Sequence, residues 1–210
     1  MEKIIIIGGG GHAKVVIDIL QSMETYDIVG FTDNDDQHLS LCGIPYLGND
    51  AILPALLEKG ITKFCVAIGD NRLRKKLFHN LVTSGFKPAS AISPFAYVSH
   101  HAKIGRGVVI LPGAVVNSCA TIEDNVIINT LSGVDHDCII YSHAHIAPGA
   151  SLTGNVTVGE GAFLGAGSKV IPGIEVGEWS IIGAGSVVLS NVPPNVTVVG
   201  VPANKIANRG

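Results

Sequence analysis

The chain has 210 residues, enough for one or two domains, and 47% of them are hydrophobic although only 5% are aromatic. A formal net charge of −3 and the lack of any basic run argue against nucleic-acid or polyanion binding. No uninterrupted apolar stretch approaches the length of a membrane span. The opening IIIIGGGGHAK also lacks signal-peptide architecture, so a soluble, cytoplasmic protein without membrane insertion is expected.

Residues 4–7 are an all-aliphatic run, as expected of a parallel strand buried on both faces. The run ends in Gly8, Gly9, Gly10 and Gly11, followed by His12 and a helical pattern through Val15, Val16, Ile19 and Leu20. A strand, a glycine turn and a helix together aim backbone N–H groups at a phosphate. A second strand over residues 28–32 leads into Asp33 and Asn34, about 20 positions after the glycines, where dinucleotide folds place a ribose-binding acid. A helix over 53–59, a strand over 63–68 ending at Gly69, Asp70 and Asn71, and a basic amphipathic helix over 72–84 complete the unit. Only one mononucleotide half fits before Ser93. The expectation is therefore a half-Rossmann α/β domain over 1–90 that binds one nucleotide. Residues 87–95, carrying Pro88 and Pro94, read as the linker.

From Ala96 to Asn191 the chain divides into sixteen hexads without insertion. The third position of every hexad is aliphatic, from Val98 through Val134 to Val188, and the first position is usually Ala, Ser or Cys. Self-similarity at this period predicts a parallel β-helix. One aliphatic residue per short strand points inward, and turns rich in Gly, Asn or Asp bend the chain onto three faces. Residues eighteen apart then stack at a strand spacing of about 4.8 Å.

Polar residues that the turns do not need cluster at Asn129, Asp135, His136, Asp137, His143 and His145. His136 is the fifth residue of its hexad, a corner, and stacking places Ser118 and Gly154 on either side of it. An imidazole beside an unhindered glycine N–H supplies a base for an attacking group and a donor for an oxyanion, as acyl transfer needs. Asp137 would hold one ring nitrogen and raise basicity at the other. His145, at the second position of its hexad, is expected to face outward toward a ligand, and His143 is expected to serve the turn. Three histidines and a carboxylate could instead bind zinc, as in hexad β-helices resembling gamma-class carbonic anhydrases. His100 and His101 read as capping or surface residues, and His38 and His79 as solvated.

The ordered set IIIIGGGGHAKVV, VGFTDN, CVAIGDNRLRKK, VIINTLSGVDHDCII, HAHIAPGASLTGNVTVG and GVPANKIA spans nearly the whole chain. It resembles the bacterial sugar O/N-acyltransferases of the sialic-acid O-acetyltransferase type, particularly the PglD-like N-acetyltransferases of nucleotide-linked 4-amino sugars. The resemblance implies a left-handed β-helix over 91–210 and a homotrimer, with acetyl-CoA between neighbouring coils. It implies His136 as base, Asp137 as its partner, Asn129, His145 and Gly154 around the thioester, and Lys205 near a CoA phosphate. It also implies Gly10, Gly11, His12, Asp33, Asn34 and Gly69 as contacts of the nucleotide-linked amino sugar. The expected reaction is metal-free acetyl transfer to an amine. An O-acetyltransferase of the sialic-acid type, a metal-dependent hydratase and a non-catalytic trimeric scaffold remain the alternatives. The nucleotide, the sugar and the pathway are left open.

Overall fold

Four consecutive isoleucines need apolar cover on both faces, and Ile4, Ile5, Ile6 and Ile7 are 0–1% exposed. A computed structural model, describing residues 1–35 and 39–206, places them in β1 (Glu2–Ile7). This strand is an inner member of a four-stranded parallel sheet, together with β2 (Tyr26–Thr32), β5 (Lys63–Val66) and β6 (Lys87–Pro88), in the order β2-β1-β5-β6. A two-stranded hairpin, β3 (Ser40–Leu41) and β4 (Ile44–Pro45), follows β2 and was not expected from the sequence. Pro88, expected in a linker, instead ends the edge strand β6, where a missing N–H is tolerated.

Helix α1 (Gly11–Ser22) buries Ala13, Val16, Ile17, Ile19 and Leu20, the stripe of a helix packed on one face. Helix α2 (Leu53–Glu58) is short, and α3 (Asn71–Thr83) buries Phe78 and Leu81. Phe78 and Phe86 both meet Phe64 edge-on, with centroids 5.8 and 6.4 Å away. The side chain of Asp70 accepts from Leu73 N at 2.7 Å and so caps α3. Arg74 departs from the expected basic outer face of this helix, because its side chain is 0% exposed.

The chain divides into two compact units, Met1–Pro94 and Phe95–Gly210. The second is a left-handed parallel β-helix of hexapeptide rungs. One face is a six-stranded ladder beginning at Tyr97–Val98, and the next is a five-stranded ladder beginning at Lys103–Ile104. A third runs from Val109–Ile110 to Thr197–Val199, with Asn204–Lys205 paired antiparallel at its end. Register is uniform, with Val115 paired to Gly133 and Gly133 to Ser151. Third-position residues from Ile110 to Val188 are at most 2% exposed, each burial contributing about 2 kcal/mol. The first position also admits Val108, Val126, Val156 and Ile174, so the interior is roomier there than expected.

Every sixth position from Gly107 to Gly185 has positive φ, the left-handed turn that closes each rung. Asn and Asp tolerate it, but Cys119, Leu131 and Trp179 adopt it too, with φ between 55 and 62°. The uniform corner therefore overrides local preference at a cost of about 1–2 kcal/mol per residue. His100, His101 and His79 are exposed, as expected of surface residues, and His38 lies outside the described residues.

First-position serines settle their hydroxyls in different ways. Ser132 and Ser180 donate to the carbonyls of Asn129 and Gly177 at 2.6 Å, whereas the buried Ser168 hydroxyl has no partner among the described residues. Ser168→Ala should raise stability by about 1 kcal/mol, because a lone buried hydroxyl costs more than it contributes. Ser180→Ala should lower it. Equal shifts in urea midpoint for the two variants would contradict this assignment of the hydroxyls.

Candidate functional site

The stacking that buries one aliphatic residue per rung also fixes what stands at each corner. His136 follows the rung Gly133–Val134, and its ring lies directly against Gly154, eighteen residues on at the same corner of the stacked rung Ser151–Leu152. A Cβ built on Gly154 would come within 2.5 Å of His136 Cε1 and 2.7 Å of Nε2. Glycine is therefore the one residue that fits without moving the ring. No acceptor among the described residues takes the Gly154 N–H.

His136 Nδ1 and Asp137 Oδ2 are 2.7 Å apart, so the carboxylate orients the ring through that nitrogen and leaves Nε2 as the outward basic atom. A second carboxylate, Asp135, was counted in the polar cluster from the sequence but given no role there. Asp135 Oδ1 accepts from the His136 backbone N–H at 2.8 Å and from Asn117 Nδ2, its neighbour in the stack, at 2.9 Å. Asn117 and Asp135 share the fourth hexad position eighteen residues apart, and that spacing was the available signal. The pKa of His136 is raised, first by the hydrogen bond to Asp137 and then by the charge of Asp135. That of Asp135 is lowered, mainly by the His136 amide and the Asn117 side chain.

Asn129 and His145 form a separate pair. Asn129 Nδ2 lies 3.0 Å from His145 Nε2, and the ring meets Phe163 edge-on at 5.2 Å. They belong to the face of Ile127–Ile128 and its neighbours, so within one chain they occupy a different corner from His136. His145 was expected to face outward, but it is only 8% exposed. His143 does occupy a left-handed turn, with φ 65°, yet it is buried and its Nδ1 lies 2.8 Å from Asn125 Nδ2. Among the described residues, no three His, Cys, Asp or Glu side chains gather as a metal site. Cys138 is a buried, inward residue whose thiol pKa is raised by burial, consistent with packing. Lys205 is exposed in the C-terminal strand.

In the N-terminal unit the glycines divide into two kinds. Gly8 has φ +106°, and a Cβ on Gly9 would strike the Phe31 ring, so the fold itself requires both. Gly10 and Gly11 are exposed, and a Cβ on either would meet nothing within 4 Å among the described residues. Neither packing nor a positive φ explains them, and the open space beside them suits a ligand approaching the backbone closely. Helix α1 has no side-chain cap at Gly10, whereas α3 is capped by Asp70. The Ala13 amide donates to the Gly10 carbonyl, and no side chain caps the start of α1, which leaves that helix terminus available to an anion.

His12 follows at once, and burial with the nearby Arg74 lowers its pKa to about 4, leaving it neutral near pH 7. Its Nε2 is buried without a hydrogen-bond partner among the described residues. Asp33 is more committed than expected, because its carboxylate accepts from the Gly9 and Asp35 amides and so holds the turn. Asn34 is exposed, and the Gly69 carbonyl accepts from Arg74 Nη1 at 3.1 Å.

A family model described as "PglD N-terminal domain" matches residues 3–81, and one described as "Bacterial transferase hexapeptide (six repeats)" matches residues 155–190. A histidine-to-asparagine mutant of perosamine N-acetyltransferase from Caulobacter crescentus, solved with CoA and GDP-perosamine, superposes with a TM-score of 0.96. It shares 42% identity, over 99% of this chain and 98% of that one. The acetyltransferase domain of PglB from Neisseria gonorrhoeae FA1090, solved with acetyl coenzyme A, gives a TM-score of 0.93. Its identity is 38%, over 98% of this chain and 99% of that one. GDP-perosamine N-acetyltransferase of Escherichia coli O157:H7 is 29% identical over 167 residues, covering 77% of this chain and 74% of its own length. The chain belongs to the PglD-like sugar N-acetyltransferases, which join a PglD-type N-terminal domain to a coil of transferase hexapeptides.

Proposed function

We propose that the protein transfers an acetyl group from acetyl-CoA to the amine of a nucleotide-linked 4-amino sugar. The observation that carries this reading is the imidazole of His136 lying against the bare peptide of Gly154, with Asp137 on its far nitrogen. The sugar amine attacks the thioester carbonyl carbon, and a C–N bond forms. His136 Nε2 takes the amine proton, and the Gly154 N–H steadies the oxyanion. The C–S bond then breaks, and the proton passes from His136 to the departing thiolate. No cysteine is acylated on the way, and no metal takes part in this scheme.

The N-terminal unit would hold the nucleotide. Its uncapped α1 terminus and the open space at Gly10 and Gly11 suit a diphosphate, with neutral His12 beside it. Binding energy gained there is available for orienting the amine. The product, an N-acetylated sugar still carrying its nucleotide, is a donor for surface glycan or exopolysaccharide assembly.

We also infer a homotrimer. The Asn129–His145 pair and the His136–Asp137–Gly154 group lie on different corners of one coil. A neighbouring copy could bring the first group against the second across a cleft that takes acetyl-CoA, with Lys205 toward a CoA phosphate. We place the enzyme in the cytoplasm. The thiols of Cys42, Cys65, Cys119 and Cys138 are unpaired, and no helix among the described residues is long and apolar enough to cross a membrane.

His136→Ala should lower turnover about 10²–10⁴-fold. Calorimetric binding of acetyl-CoA and of the sugar nucleotide should stay near wild type. Turnover at the wild-type rate would refute the base.

The pH profile gives a second check. A base works when neutral, and the His136 pKa is raised, so kcat/KM should fall as pH drops through a value above the usual histidine value of about 6.5. Asp137→Asn removes the leading cause of that shift and should move the acid limb to lower pH with a reduced maximum. An unmoved limb would show that Asp137 does not tune the base.

A further inference from the structure

The reading of the N-terminal unit as a nucleotide site leaves the base unassigned, and the following inference rests on that reading. At the carboxyl ends of β1, β2 and β5, the edge that carries the glycine turn, lies a cleft of about 90 Å³. It is walled by Ile68, Leu73 and Leu77 and rimmed by Asp33, Asn34 and Asp50. In open α/β sheets this is the edge at which ligands bind. The Asp33 carboxylate, which accepts from the Gly9 amide, joins the cleft to the turn. A ligand with its phosphates at the turn would reach the cleft with its base.

The apolar walls suit the faces of a flat ring, so recognition of its edge falls to the polar rim. Asp33 is occupied by two backbone amides. Asn34 is exposed. Asp50 is half-buried, and its Oδ1 accepts from the hydroxyl of Thr32 at 2.7 Å. Thr32 is itself 0% exposed, so this carboxylate oxygen is pinned. No donor among the described residues reaches Oδ2.

A carboxylate only accepts hydrogen bonds, so it selects a base that offers donors side by side. Guanine offers N1–H next to its 2-amino group. Adenine and cytosine each set an acceptor nitrogen beside a single amino donor. Uracil and thymine flank N3–H with two carbonyl oxygens, which a carboxylate repels. We propose that Asp50 is the specificity-determining residue of the nucleotide site and that it selects a guanine nucleotide.

The test is calorimetric titration of the full chain and of Asp50→Asn with GDP, xanthosine diphosphate, UDP and dTDP. Wild type should prefer GDP over the other three by about tenfold or more, the scale of a hydrogen bond to a charged acceptor. Asp50→Asn keeps an acceptor for Thr32 but presents an amide to the base. It should lose GDP affinity and gain xanthosine diphosphate, whose 2-oxo group accepts from that amide. This gain cannot come from a misfolded variant. If wild type binds UDP or dTDP as tightly as GDP, or Asp50→Asn keeps the GDP preference, the assignment of Asp50 is overturned while the nucleotide site stands. If none of the four diphosphates binds to protein that still binds acetyl-CoA, the nucleotide reading itself fails and this inference goes with it.

Discussion

The in-register parallel stacking of rungs eighteen residues apart underlies the rest of the coil. Each rung contributes only two strand residues, too few for stability alone, and is held by the rungs on either side. The same register decides which side chains meet at the corners. It sets Asn117 against Asp135, Asn125 against His143 and His136 against Gly154. The chemistry at His136 is thus a consequence of how the coil packs. A slip of one rung position would turn inward residues outward and disperse the group.

Much of this was legible because the period is strict. The aliphatic third position located the interior, and the fifth position located His136 on a corner beside Gly154. Side-chain partnerships were harder to see. Asp135 looked like one more polar residue of the cluster, although its spacing from Asn117 carried the information. His145 illustrates the limit of the hexad rule. Second-position residues point away from the interior, yet Val109, Ile127 and His145 on that face are all buried. Periodicity reports the direction of a side chain relative to its own rung and says nothing of what covers it from outside.

The N-terminal unit shows the converse. Its strands and helices followed from hydrophobic runs and glycine stops, but short elements such as the β3–β4 hairpin gave no periodic signal. The run of four glycines looked uniform in sequence. In three dimensions Gly8 and Gly9 answer to the fold, whereas a Cβ on Gly10 or Gly11 would meet nothing among the described residues. Arg74 was hidden in a helix whose charges suggested a solvated face. Its Nη1 donates to the carbonyls of Ile68 and Gly69 and ties down the end of the strand beside the glycine turn.

The juxtaposition of a base and a bare amide can be probed with a single methyl group. Gly154 has no left-handed φ, so the backbone accepts alanine, and the three atoms nearest the added Cβ all belong to the movable His136 ring. The most direct measurement is steady-state kinetics of Gly154→Ala beside its circular dichroism. That juxtaposition predicts an unchanged coil spectrum and a kcat reduced about 100-fold, the scale of disturbing one oxyanion donor. Wild-type kcat in a correctly folded Gly154→Ala protein would contradict it.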